Sequence, residues 1–212
     1  MNTARARLYY VHDPMCSWCW GFAPCWTQLQ QLLDEHVEVR YLLGGLAADN
    51  DQPMAESMQQ YLQATWRRIE TQIPGIHFNF DFWQHCRPRR STYPACRAVI
   101  AAREQDPALE KPMIQAIQQA YYLQARNPSD NETLIDCAVQ LGLDERRFIE
   151  RLNHPETQHQ LMDEIQQSER LGAAGYPSLV LVKGGEPILI ELDYLQPEPM
   201  LEQINRQLAE NR

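Results

Sequence analysis

No apolar run in this sequence is long enough to cross a bilayer. Nor does an apolar core with a small-residue cleavage site follow Arg5 and Arg7, as a secretory leader would require. Both absences point to a cytoplasmic protein with no membrane partner. Basic residues are scarce: 19 Lys and Arg stand against 28 Asp and Glu, a net charge of -9. That deficit argues against nucleic acid, whose phosphates need a clustered cationic excess. Internal repeats and low-complexity stretches are missing too, which excludes solenoids and disordered tails. Cysteine is too thin, six in 212 residues, for the disulfide framework of a small secreted domain. What remains, with 44% of residues hydrophobic and 22% charged, is an ordinary globular composition.

Leu8 to His12 reads as a short buried strand stopped by Asp13-Pro14. From Cys16 to about Leu33 the spacing of Phe22, Trp26, Leu29 and Leu33 predicts a helix, bent at Pro24. Val37, Val39 and Tyr41 alternate with Glu38 and Arg40 and predict a second strand ending at Gly44-Gly45, hence a right-handed parallel unit. Pro53 to about Leu171 is almost entirely helical. Met54, Met58, Tyr61, Thr65 and Ile69 fall on one face, which suggests core packing rather than a binding groove. Met113, Ile117 and Ala120 form a second face; Leu134, Ala138 and Leu141 form a third. Pro94, Pro112 and a capping box over Ser129-Asp130-Asn131-Glu132 mark helix starts. Gly142 marks an end and Asp144 the next cap. Two strands, Ser178–Val182 and Pro187–Leu192, flank a glycine turn, and a last helix starts near Pro197 or Pro199, with Leu201, Ile204 and Leu208 on one face. The simplest packing is one α/β sheet from two distant pieces of chain, 1–50 and 172–212, with an all-helical insertion at 51–171.

Cys16-Ser17-Trp18-Cys19 lies just after a predicted strand and opens the following helix. Helix N-termini present unpaired N–H groups and a positive dipole end, both of which favour a thiolate. Cys16, nearer the loop, is the expected attacking sulfur, and Cys19, one turn further in, the resolving thiol. Simple core packing of two cysteines is one alternative. A metal site is another: His12, Cys16, Cys19 and Cys25 are close in sequence. No second CxxC exists, however, and Cys25 turns away from Cys19, so no metal is expected. Far downstream, Gly175-Tyr176-Pro177-Ser178 precedes a predicted strand.

With these motifs the chain resembles the DsbA family of the thioredoxin superfamily, close to its cytoplasmic FrnE-like, disulfide-isomerase group. The likeness runs over nearly the whole chain: Asp13-Pro14-Met15 through Trp20, Pro24, Leu43-Gly44-Gly45-Leu46, the helical insertion, Ala120-Tyr121-Tyr122 through Asp130, and Gly175 to Ser178. It implies a thioredoxin-like fold with a helical insertion and disulfide exchange through Cys16 and Cys19. It also implies a cis Tyr176–Pro177 bond against the cysteine pair, with the Tyr176 backbone taking an extended substrate beside Ser17 and Trp18. Where many relatives carry a buried acid six residues before the first cysteine, this chain has Tyr10, a poor base near neutral pH. Asp13 and His12 are candidate proton acceptors, although His12 also reads as a strand-end residue with a structural hydrogen bond. Ser17-Trp18 lacks both the histidine of strong oxidants and the Gly-Pro of thioredoxins, which suggests an intermediate potential.

Trp18, Trp20, Phe22 and Tyr176 are candidates for an apolar substrate rim, with Trp20 and Phe22 alternatively in the core. Cys25, Cys86, Cys96 and Cys137 read as buried, inert thiols, with Cys86 and Cys96 considered as a regulatory pair. Arg87-Pro88-Arg89-Arg90 reads as a solvated loop, or else as an attractor for acidic peptides or glutathione carboxylates. The expected activity is exchange of disulfides in cysteine-containing proteins or glutathione-mixed substrates, with glutathione a redox partner and no bound cofactor. Two rivals remain. One is a glutathione-dependent isomerase or transferase of similar fold, whose members carry Ser where Cys16 stands. The other is a redox-sensing, client-binding adaptor. Oligomeric state is not legible.

Overall fold

A computed structural model of the chain describes residues 6–209; residues 1–5, read above for a leader, lie outside them. The apolar segment after Ala6 becomes β1 (Ala6–His12), an inner strand of a four-stranded sheet. It runs parallel to β2 (Val37–Leu43) and antiparallel to β3 (Ser178–Lys183), which pairs antiparallel with β4 (Glu186–Ile190), in the order β2-β1-β3-β4. The connection from β1 to β2 is α1 (Ser17–Leu32), with Pro24 inside it. Between β3 and β4, Gly184 and Gly185 both have positive φ, 65° and 97°. A two-residue hairpin turn of matching twist needs such angles, and glycine adopts them without steric cost. β4 stops at Ile190, two residues before the sequence-based expectation, because the next backbone N–H, of Glu191, donates to Gln203 Oε1 at 2.9 Å on the last helix.

The helices between β2 and β3 are α2 (Glu56–Gln72), α3 (Phe82–His85), α4 (Tyr93–Gln105), a 3-10 turn (Pro107–Leu109), α5 (Glu110–Tyr122), α6 (Asn131–Gln140), α7 (Glu145–Leu152) and α8 (Pro155–Arg170); α9 (Glu198–Ala209) follows β4. This is the α/β sheet from two distant pieces, with intervening helices, that the sequence indicates. On one sheet face Leu8, Tyr10, Leu179 and Leu181 pack against Phe22, Trp26 and Leu29 of α1 and Met200 and Ile204 of α9. On the other lie Val11, Leu42 and Val180. The helices share a larger core in which every residue of α4 from Pro94 to Ala102 is buried; Met15 and Leu43 join that core beside the cysteine pair. The end of β2 is held from α8, where Glu164 Oε2 accepts the Leu43 N–H at 2.8 Å and also pairs with Arg103.

Two local expectations need correction. The buried residues of α2 are Thr65, Trp66 and Ile69, not a stripe from Met54 to Ile69: Tyr61 is 60% exposed, and Met54 precedes the helix. Trp66 sets this face, since its large ring fills the centre of an aromatic cluster with Phe78, Trp83 and Tyr121. The capping box at Ser129 does not form. Asp130 is the N-cap of α6 but makes no capping bond, because its carboxylate is taken by Arg89 and Asn127. Asp144, by contrast, accepts from the Arg147 N–H and caps α7 as expected.

Candidate active site

The turn Asp13-Pro14-Met15 carries the chain from β1 into α1 and delivers Cys16 to the N-cap position, where its N–H donates to the Asp13 carbonyl at 3.0 Å. No side chain caps this helix, and its first turn contains no acid. The positive end of α1 is therefore left to act on the Cys16 sulfur. Asp13 itself is fully buried. Its carboxylate accepts from the N–H groups of Met15 (2.8 Å) and Leu46 (2.7 Å), from Thr92 Oγ1 (2.6 Å) and from Cys96 Sγ (3.5 Å). Burial pushes this carboxyl above its ordinary value while those donors pull it back. Asp13 thus ties three segments together around the cysteine turn.

Cys16 and Cys19 are both free thiols. Cys16 is 7% exposed and its Sγ donates to the Tyr176 carbonyl oxygen at 3.3 Å; Cys19 has no exposure at all. Burial drives the Cys19 thiol well above its ordinary value, and the neighbouring Cys16 adds to the shift. The Tyr176 carbonyl belongs to a cis Tyr176–Pro177 peptide, and Pro177 is buried just ahead of β3. Tyr176 is seated by Gly44, whose carbonyl accepts the Tyr176 hydroxyl at 2.6 Å. A Cβ on Gly44 would lie 1.9 Å from the Tyr176 ring, so only glycine fits beneath it.

In front of Cys16 is a cavity of about 170 Å³, walled by Met15, Trp18, Met54, Arg90, Tyr121 and Tyr176, among others. Trp18 packs edge-on against Tyr194, with the Arg68 guanidinium 5.2 Å above its ring. The Ser17 hydroxyl accepts from Trp66 Nε1 at 2.9 Å, which anchors the CxxC turn to the helical core. Of the four aromatics considered for a rim, only Trp18 and Tyr176 line this cavity. Phe22 is wholly buried, and Trp20 stacks on Tyr122 and faces a second cavity behind α1. That second cavity, about 630 Å³, is bordered by Tyr10, Trp26, Gln30, Tyr41 and Lys111.

Tyr10 is buried between the two thiols and this rear cavity. Burial raises its hydroxyl well above the ordinary value, and the neighbouring Cys19 adds to the shift. His12 does not have the structural hydrogen bond expected of it. Both ring nitrogens are buried without a partner, the ring stacks on Tyr10 with centroids 5.1 Å apart, and burial lowers its pKa to about 3. Among the described residues no group of His, Cys, Asp and Glu converges to hold a metal.

The remaining cysteines are free; Cys25, Cys96 and Cys137 are buried, and Cys86 is half-buried. The Cys25, Cys86 and Cys96 thiols face Asp193 O, Ala125 O and Asp13 Oδ2 respectively, so Cys86 and Cys96 address different partners. The solvated-loop reading of the basic run holds for Arg87 alone. Arg89 and Arg90 are half-buried, and Arg90 lies at the cavity beside Cys16. From the sequence no site role was assigned to Trp66, Thr92 or Tyr121. A lone tryptophan amid the polar residues of α2 was the available signal for Trp66; nothing local marks the other two.

The chain superposes on a candidate protein disulfide isomerase of Nitrosomonas europaea with a TM-score of 0.85 and 27% identity, over 98% of this chain and all of the other. It superposes on the cytosolic disulfide reductase DsbM of Pseudomonas aeruginosa with a TM-score of 0.75 and 28% identity, covering 96% and 99%. DsbM has also been solved with GSH, and that structure superposes with a TM-score of 0.72 at 27% identity, covering 95% and 98%. In sequence, the chain is 26% identical over 178 residues to the ClpXP adapter protein SpxH of Halalkalibacterium halodurans, covering 82% of this chain and 58% of SpxH. The chain thus spans less than three-fifths of the length of the curated relatives it matches. The DSBA-like thioredoxin domain model matches residues 8–203, and the chain belongs to that family.

Proposed function

We propose that this protein is a cytoplasmic thiol–disulfide oxidoreductase that reduces or isomerises disulfides in proteins and glutathione-mixed substrates. The observation that carries the reading is the Cys16 Sγ, placed 3.3 Å from the Tyr176 carbonyl at the mouth of a cavity, with Cys19 buried one turn behind it. The Cys16 thiolate attacks one sulfur of the substrate disulfide, forming a mixed disulfide and releasing the other sulfur as a thiol. Cys19 then loses its proton and attacks Cys16, which releases the reduced substrate and leaves a Cys16–Cys19 disulfide. A thiol reductant, with two glutathione molecules as the simplest case, returns that disulfide to the dithiol. Isomerisation differs only in that a substrate thiol attacks the mixed disulfide first. Cytosolic redox poise favours the reducing direction, and likeness to the cytosolic reductase DsbM supports it. The absence of a helix long and apolar enough to span a membrane among the described residues is compatible with that location. In this reading Ser17, Trp18, Tyr176 and Pro177 form the substrate-facing surface, glutathione is a redox partner, and no resident cofactor is needed.

The test compares turnover of insulin and of a glutathione-mixed disulfide by the wild type and by Cys16→Ser. The variant is expected to lose more than ~10³-fold of activity, since a nucleophile acts as a unit with its partners. Cys19→Ser is expected to hold a covalent mixed disulfide visible by mass. An unimpaired Cys16→Ser variant overturns the reading. Likeness to SpxH favours a second one, in which the fold presents a client to another machine. Client binding that persists in the Cys16→Ser, Cys19→Ser double variant would support that adaptor role instead.

A further inference from the structure

The chain carries a net charge of -9, yet the cavity in front of Cys16 is lined by two arginines and by no carboxylate. The two arginines are not equivalent. Arg89 is committed, since its guanidinium pairs with Asp130 Oδ1 at 2.7 Å and also donates to the Ser129 carbonyl. Arg90 is half-buried and, among the described residues, has no hydrogen-bond or ion-pair partner. It is close enough to the Tyr121 hydroxyl, on the same cavity wall, for its charge to pull that group's pKa down against the effect of burial.

The arginine is not on a free loop. The Met54 N–H donates to the Pro88 carbonyl at 2.8 Å, and Pro53 and Arg89 form an isolated antiparallel bridge, so the segment before Arg90 is fixed against the Met54 wall. The neighbouring hydroxyls are occupied: Thr92 Oγ1 donates to Asp13 Oδ2, and Ser91 Oγ accepts from the Asn50 N–H. A fixed, partly desolvated guanidinium with unused donors is a poor element of stability, because its lost hydration is not offset by a partner. The same group is a good receptor for a planar anion, which it can meet with two parallel charge-assisted hydrogen bonds.

We infer that Arg90 forms a carboxylate subsite beside Cys16, and that the protein prefers small acidic disulfides of the glutathione type over neutral ones. The inference rests on the exchange activity proposed above and adds to it a substrate class and the residue that selects it. A carboxylate of the substrate pairs with Arg90, while Trp18, Met54 and Tyr61 give an apolar surface for its stem and the disulfide reaches Cys16. Arg90 is a specificity residue and takes no part in the sulfur chemistry.

With excess dithiothreitol, a neutral thiol reductant, returning the Cys16–Cys19 disulfide to the dithiol and the uncatalysed rate subtracted, the experiment measures kcat/KM for glutathione disulfide and for bis(2-hydroxyethyl) disulfide, which is neutral, with wild type, Arg90→Lys and Arg90→Gln. The ratio between the two substrates is expected to fall about tenfold in Arg90→Gln, through KM, and less in Arg90→Lys, which keeps the charge but not the fork. In the wild type the same ratio should fall as ionic strength rises, a readout that needs no variant to fold. A ratio insensitive both to Arg90→Gln and to salt overturns the subsite. A third arm uses a peptide disulfide with acidic neighbours. Dependence on Arg90 there, with none for glutathione disulfide, overturns the assignment to small conjugates. If wild type turns over neither small disulfide, the exchange activity itself falls, a result distinct from activity without charge preference.

Discussion

Cys16 and Cys19 share a residue type and one helical turn, but they stand between two unlike spaces. In front of Cys16 is the smaller cavity, about 170 Å³, with Arg90, Tyr121 and the Tyr176 backbone around it. Behind Cys19, past Tyr10, is the larger one, about 630 Å³, with aromatic walls and Lys111 at its border. The front sulfur sits at an uncapped helix start, where charge is welcomed; the rear sulfur is sealed in, and burial holds its proton on. The contrast teaches that the two thiols are distinguished by surroundings rather than by chemistry, and that the smaller of the two cavities is the one a thiol faces in the exchange proposed above.

The comparison can be broken first from the front. Gly44→Ala places a methyl group inside the Tyr176 ring position and should cost ~3 kcal/mol by chemical denaturation, the upper range for overpacking. Because Tyr176 must move, alkylation of Cys16 should change at the same time; a variant as stable as wild type would show that Gly44 does not fix the front wall.

The rear side has its own signature in pH. His12 has a folded pKa of about 3, set by burial, against about 6.5 when unfolded. Its folded pKa is depressed, so the unfolded chain takes up the proton first, and stability present above pH ~6.5 is lost as pH falls towards ~3. Between pH 7 and 5 this amounts to about 2 kcal/mol, and His12→Phe should remove that part of the wild-type decline. Parallel stability profiles for the two proteins would mean that His12 is not held neutral behind the site.

A smaller effect should separate the two thiols kinetically. Tyr10→Phe deletes the buried hydroxyl beside Cys19 and leaves the ring packing in place. The second step, release of the mixed disulfide, should slow by about tenfold, the worth of one hydrogen bond to a charged group, while the first step stays near the wild-type rate. Rapid-quench trapping of the mixed disulfide reads both steps. Equal slowing of the two would place Tyr10 in general support of the fold.

The features legible in the sequence are those carried by short spacing. The Cys16–Cys19 pair, the strand either side of α1, the Gly184-Gly185 turn and the Asp144 cap each need only a few neighbours to define them. Misreadings cluster where a distant group competes. Asp130 looked like part of a capping box until Arg89, 41 residues away, took its carboxylate. His12 looked like a hydrogen-bonded strand end, but the rings of Tyr10 and Tyr41 enclose it. Arg90 looked solvated because its run is charged, and only the tie between residues 88 and 54 turns it to the site.

The sequence by itself determined the spacing of the Cys16–Cys19 pair, its place at a helix start and the order of the elements along the chain, since periodicity, turn chemistry and i to i+3 geometry are local properties of the chain. Tertiary structure alone decided what each thiol faces. Tyr176 reaches Cys16 across 160 residues, Trp66 reaches Ser17 across 49, and Thr92 reaches Asp13 across 79. Burial and charge at a site are sums over everything packed around it, and no stretch of chain contains that sum until the chain has folded.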